Sequence, residues 1–303
     1  MTREHNMKGT KMKKYLIGMA LAMSAICVSP SFAFDSVKLC TGGESGNYYA
    51  AGKEIAKMAG STLPIEVIAT EGTIDNMNKI AAGECDAMIG QPDGPVWLQE
   101  TNPMQSRNLK PAAALHREYL QVICNKDAGV DDLSDLEGGK SGKLIIGAPG
   151  SGSWLVWQNI VAQDSGYENV PVSTDSDVIA LSALSGRDDG AACMIVAAGL
   201  RNGVMTEADN TYGDSLILVE ANDKDFNDAV DLNGEKLYEY SKIPSKTYPA
   251  SLQKGHWSGT DTITWNAKVY FSTSAFQSDQ KRLKAFITAS ARAAINVKAA
   301  FGK

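Results

Sequence analysis

From Ser36 onwards, short continuous apolar runs alternate with apolar positions spaced three and four apart, and glycine-rich turns separate them. "SVKLC" reads as a strand. After the turn "TGGESGN", Tyr48, Ala51, Ile55, Met58 and Ala59 recur at helical spacing. "LPIEVIAT" predicts the next strand, and Thr73 stands as N-cap of a helix with Ile74, Met77, Ile80 and Ala81 on one face. "CDAMIGQ" is a short buried strand. Such a β-α-β-α-β series implies a mainly parallel sheet with right-handed crossovers.

The same grammar returns after Asp135. "KLIIGAPGSGSWLVWQNIVAQDSGY" predicts strand, Gly/Ser turn and helix, with Trp154, Trp157, Val161 and Asp164 spaced for one face. "VPVSTD" is extended, "SDVIALSALSGRDDG" helical and "AACMIVAAG" a strand. "KIAAGECDAMIG" and "ALSGRDDGAACMIVAAG" share an order: a helix ending at glycine, acidic residues, then a buried strand. The expected fold class is therefore α/β with two lobes of similar construction, each a mainly parallel sheet flanked by helices, and a cleft between them. "LHREYLQVIC" is an apolar strand leading to the first crossing, and "TDTITWNAKVYFSTS" is a late extended run. In the last helix Leu283, Phe286, Ile287, Ala291 and Ile295 are placed to pack back onto the first lobe. Residues 34–124 with 250–303 are expected to form lobe I and 125–249 lobe II; the stretch from Asp209 to Tyr248 is too polar to read as elements.

The segment before Phe34 changes the charge. Lys11, Lys13 and Lys14 precede "YLIGMALAMSAICV" and then Ser31-Phe32-Ala33, the order of a secretory signal peptide occupying residues 1–33. It carries five Lys/Arg against one acid, so the exported chain is near −10 rather than the −6 of the whole. That sign argues against a nucleic-acid surface, and any bound anion must be held by local donors. Cys40, Cys85, Cys124 and Cys193 lie in or beside apolar segments; export permits disulfides, with buried free thiols the favoured reading for most of them.

Two strand-to-helix turns, "CTGGESGNYY" and "APGSGSWL", are rich in glycine and hydroxyls, and "ATEGTIDN" opens a third helix. Helix N-termini offer unpaired N–H groups and the positive end of the dipole, so each is an anion cradle in prospect. Tyr48, Tyr49, Trp97 and Trp154 stand where cleft walls are expected. No G-x-G-x-x-G lies in these turns, and Ser134 replaces the first glycine of a P-loop at "EGGKSG". Beyond the leader only His116 and His256 remain, no G-x-S-x-G elbow occurs, and no spacing fits zinc. No enzyme, cofactor or metal is expected.

In that order, "TGGESGNYYAAG", "ATEGTIDNMNKIAAGECDAMIGQPD", "LHREYLQVIC", "DLSDLEGGKSGKLIIGAPGSGS" and "LSALSGRDDGAACMIVAAG" resemble the TAXI-type solute-binding proteins of TRAP transporters. The resemblance implies a type II periplasmic binding-protein fold that closes on a small carboxylate-containing solute, an acidic amino acid or a dicarboxylate-like compound. It then implies delivery to a TRAP-type membrane permease by a periplasmic, monomeric protein. By position it implies ligand contacts from Thr41, Gly42, Gly43 and Tyr48, from Thr73 and Asn76, from Gln91 and Asp93, and from Ser151, Gly152 and Ser153, with Trp154 alongside. Ser153 and Trp154 stand where that family usually has threonine and a small residue. An ABC-type phosphonate or oxyanion binder, and a ligand-presenting subunit of a membrane sensor, are the alternatives.

Overall fold

A computed structural model of the protein describes residues 34–231, 233–255 and 257–301. The signal-peptide reading of residues 1–33 lies outside the described residues. Strand β1 (Val37–Cys40) leads into helix α1 (Asn47–Ala59), β2 (Ile65–Ile68), α2 (Thr73–Ala81) and β3 (Ala87–Gly90), with β1 parallel to both β2 and β3. Helices α3 (Gly94–Thr101) and α4 (Pro103–Asn108) follow, and then the 17-residue strand β4 (Leu109–Asn125). The second half contains β5 (Lys143–Ile145), α5 (Gly152–Gln163), β6 (Val172–Ser173), α6 (Asp177–Gly186), β7 (Ala191–Ala198), α7 (Gly203–Thr211), β8 (Leu216–Val219) and β9 (Glu239–Ile243). The long β10 (Thr260–Ser272) and α8 (Gln280–Phe301) complete it.

The strands form one mixed sheet in the order β2-β1-β3-β10-β4-β7-β5-β6, with β8 on β4 and β9 on β10. Its two parallel sets, β2-β1-β3 and β6-β5-β7, are joined through two long antiparallel strands. β10 pairs with β9 as far as Thr264 and with β3 from Lys268; β4 faces β10 up to Tyr119, then pairs with β7 and β8. The cores change hands at the same place: Leu120 and Trp265 belong to one hydrophobic cluster, Leu115 and Ala267 to another. The molecule is a two-lobed α/β fold of the type II periplasmic solute-binding kind, with β4 and β10 common to both lobes.

Several sequence expectations shift. Gly72, with φ at 123°, occupies the N-cap of α2, and Thr73 is its first helical residue. A side chain at that φ is strained, so the hydroxyl moves one position inward. Trp97, expected at a cleft wall, lies on α3 and is not among the residues lining the cavity at the helix starts. In α8 the buried face runs through Arg282, Phe286, Ala289, Ser290, Ala293, Ala294 and Val297, while Ala291 and Ile295 face outward. Small alanines admit close approach of α1, and Arg282 sets the helix's rotation. Its guanidinium donates to the carbonyls of Asp35, Ser36 and Ala275 and pairs with Asp86 at 2.7 Å. All four cysteines are paired, Cys40 with Cys85 and Cys124 with Cys193, in place of the free thiols favoured from sequence. The pairing joins neighbouring strands: Cys124 and Cys193 stand opposite each other on β4 and β7.

The polar run from Asp209 to Tyr248 holds β8, β9 and a buried anchor. Tyr238 reaches across and donates to Asp93 Oδ2 at 2.8 Å, and Asp93 Oδ1 has no partner among the described residues. Burial pushes the Asp93 carboxyl up to about 7, against the opposing pull of the Tyr238 hydrogen bond.

Two outcomes follow. Arg282→Met removes the cation from a largely buried ion pair and should lower unfolding free energy by about 3–5 kcal/mol in urea titration; a change under about 1 kcal/mol would remove the anchor. For Asp93 the folded-state pKa lies above its ordinary 3.8, so the fold favours the protonated acid and loses this stability as pH rises from there through about 7. Asp93→Asn should match wild type at acid pH and exceed it by up to roughly 4 kcal/mol above neutrality. A difference independent of pH would refute the assignment.

Candidate functional site

The strand ends and helix starts meet at one cavity of about 550 Å³. Gly42 follows β1, and Gly46, Asn47 and Tyr48 open α1; Gly72 and Thr73 open α2, Gln91 follows β3, and Gly152 opens α5. The facing wall is the turn from β7 into α7, Val196 to Gly199 and Asn202 to Val204, together with Val178 and Leu181 of α6. The two sides come close: a Cβ at Gly199 would stand 2.6 Å from Asn47 Nδ2.

Four helix N-termini, those of α1, α2, α5 and α7, therefore line one space, and they differ in capping. Ser151 caps α5 by accepting from Trp154 N–H at 3.2 Å, and Asn202 caps α7 by accepting from Met205 N–H at 3.1 Å. Gly46 and Gly72 cap α1 and α2 with no side-chain acceptor. The first N–H groups of those two helices are left for whatever enters, with the positive end of each dipole behind them.

Of the residues singled out from sequence, Gly42, Tyr48, Thr73, Gln91 and Gly152 lie on the cavity wall. The others stand around or behind it. Thr41 is buried and donates to Ile68 O at 2.8 Å; Gly43 is exposed at the head of the turn, its carbonyl accepting from Gly46 N–H. Asn76 is wholly buried, donating to Thr41 O and Ile89 O and accepting from Thr70, so it holds the turn that carries Gly42. Ser153 accepts from Ala197 N–H at 3.0 Å and ties α5 to β7. Asp93 is engaged with Tyr238, and Trp154 meets Trp97 edge to face at 6.1 Å.

The sequence reading missed Glu118, Asn47 and the wall formed by Gly199 and Asn202 to Val204. That wall repeats the pattern of the other turns, a strand end followed by glycine, an Asn cap and a helix, and could have been found on that ground. Glu118 could not, because it sits in an apolar strand with its side chain 5% exposed. Its Oε2 accepts from Tyr48 Oη and from Trp265 Nε1, both at 2.9 Å. His116 Nε2 stands 3.7 Å from its Oε1, outside hydrogen-bond reach. Burial first, and then the neighbouring Glu118 charge, hold the Tyr48 phenol well above its ordinary pKa, so it stays a donor.

The cavity wall carries Glu118 and Glu207 and, among the described residues, no Lys, Arg or His. A separate trio, Glu137, Asp164 and Asp223, brings carboxylate oxygens within 4.8 Å of one another away from the cavity. No helix among the described residues is long and apolar enough to cross a membrane.

Solved structures share this architecture at low identity. The periplasmic aliphatic sulphonate binding protein SsuA of Escherichia coli is 9% identical over 88% of this chain and 75% of its own, with a TM-score of 0.53. The alkanesulfonate-binding SsuA of Xanthomonas axonopodis pv. citri, bound to MOPS, is 8% identical over 86% and 73%, with a TM-score of 0.50. A Listeria monocytogenes protein described as an L-cystine ABC transporter is 12% identical over 88% and 96%, again at 0.50. Residues 39–280 match the NMT1-like family, and the chain belongs to it.

Proposed function

We propose that this protein is an extracytoplasmic solute-binding protein that captures a small solute bearing an anionic group and hands it to a membrane importer. The observation that carries this reading is the pair of uncapped helix N-termini, α1 and α2, opening on a cavity between two lobes. Their free N–H groups solvate a carboxylate or sulfonate by geometry and dipole, without a counter-cation on the wall. The lobes divide inside β4 and β10, near Glu118 and Trp265, where pairing and cores change partners. Motion about two continuous strands is a hinge, and a solute shifts it only through its differential affinity for the closed form.

Two importers are consistent with this. The ordered turn motifs resemble TAXI proteins and favour a TRAP-type permease with a carboxylate solute. The structural neighbours that bind sulfonates, and the one described as an ABC transporter, favour an ABC-type importer and widen the anion to sulfonates and phosphonates. The fold-level likeness gives the second reading the greater weight. In both the protein is a periplasmic receptor and not a catalyst.

Thermal unfolding against small carboxylates, sulfonates and phosphonates tests the reading. A solute bound only by the folded form should add about 2.7 kcal/mol at a hundredfold excess over Kd. A panel that leaves the midpoint unmoved throughout would overturn it. Gly46→Asp places a carboxylate at an N-cap with extended backbone, φ −87° and ψ 161°, where aspartate caps well. Its Cβ would stand 3.1 Å from Gly43 O, so the turn must give slightly and unfolding must be checked beside binding. In a folded variant the built-in anion should weaken binding by roughly tenfold or more, and unchanged affinity would clear α1 of the role.

A further inference from the structure

Two side-chain acceptor oxygens on this cavity wall stand without a hydrogen-bond donor among the described residues. Glu118 offers a buried carboxylate whose Oε2 is engaged by Tyr48 and Trp265, while Oε1 faces only His116 at 3.7 Å. Gln91, 1% exposed and on the same wall, has an Oε1 with no partner among the described residues. Both are acceptors. A buried acceptor without a donor is unfavourable, more so when charged, and the described lining residues include no cation to meet Glu118. The starts of α1 and α2, on the same cavity, present backbone N–H groups with no side-chain cap.

We propose that the solute is a zwitterion whose ammonium carries N–H groups, held by Glu118 Oε1 with Gln91 Oε1 as a further acceptor, while its anionic end lies against α1 and α2. This rests on the binding-protein reading above and specifies the solute class within it. A dianion would bring its second charge towards Glu118 in a protein whose net charge is already negative. A quaternary ammonium has no N–H for these acceptors, and it needs a cage of aromatic faces; Tyr48 is the one aromatic side chain among the described lining residues. Glu118 is thus the specificity-determining residue. Its position at the crossing of β4 and β10 lets the ammonium bond to the strands that join the lobes.

The test uses calorimetric titration and thermal unfolding of the purified protein with matched sets of small amino carboxylates and amino sulfonates. Each primary amine is compared with its N-acetyl, N-trimethyl and des-amino forms. The amine should bind at least roughly tenfold more tightly than each of the other three. Glu118→Gln, which keeps an acceptor for Tyr48 and Trp265, should weaken the amine by a similar factor and so abolish its preference over the des-amino form. Equal binding of amine and des-amino forms by wild type would overturn this inference and leave the binding-protein reading standing. Binding by no member of any set would sink both. A Glu118→Gln protein that unfolds normally and still prefers the amine would remove Glu118 from the assignment.

Discussion

Everything else in the molecule hangs on the antiparallel pairing of β4 with β10. These two strands are shared by both lobes, so their register fixes how the lobes meet. The register is held by more than ladder bonds: Thr264 donates to Glu118 O at 2.6 Å, Thr262 donates to Leu120 O, and the Trp265 indole donates to the Glu118 carboxylate. A buried carboxylate is tolerable only where donors surround it. Trp265 of β10 and Tyr48 of α1 supply them at Oε2, and Glu118 lines the cavity. Glu118 therefore stands both at the strand crossing and on the cavity wall.

Local signals made most of the fold legible. The α/β alternation, the helix starts at α1, α2 and α5, and the strands β1, β3, β7 and β10 follow from apolar period and glycine-rich turns. What escaped depends on distant partners. β8 and β9 lie in a polar stretch and become strands because β4 and β10 offer edges to pair with. Ala291 and Ile295 fit an apolar helical stripe, yet Arg282 rotates α8 so that alanines face the core. Cysteine pairing likewise needed the strand order, since Cys40 and Cys85 are 45 residues apart but end and precede neighbouring parallel strands.

The candidate site was legible in its donors and hidden in its acceptors. Glycine-rich turns announce helix N-termini, and Gly42, Tyr48, Thr73 and Gly152 were readable on that ground, while Gln91 came only from the resemblance to TAXI proteins. Thr41, Asn76 and Ser153 carry the right chemistry in the same motifs, but their hydrogen bonds brace the turns from behind. Glu118 sits in a run whose neighbours Leu115, Leu120 and Val122 are core residues, and nothing local separates it from an exposed strand position.

Closure itself has a built-in apolar contribution. Trp97 of α3 and Trp154 of α5 meet edge to face, and Leu155 packs into the cluster formed by Ile74, Met77 and Met88 of the other lobe. Aromatic contact of this kind contributes about 0.5–1.5 kcal/mol beyond the area buried. In the proposed two-lobed receptor this apolar seam would favour closure without discriminating between solutes. Discrimination must come from the polar groups that closure brings together. In the proposed reading the α1 and α2 donors and the Glu118 and Gln91 acceptors are those groups, and a solute that satisfies one set alone would leave the other unpaired.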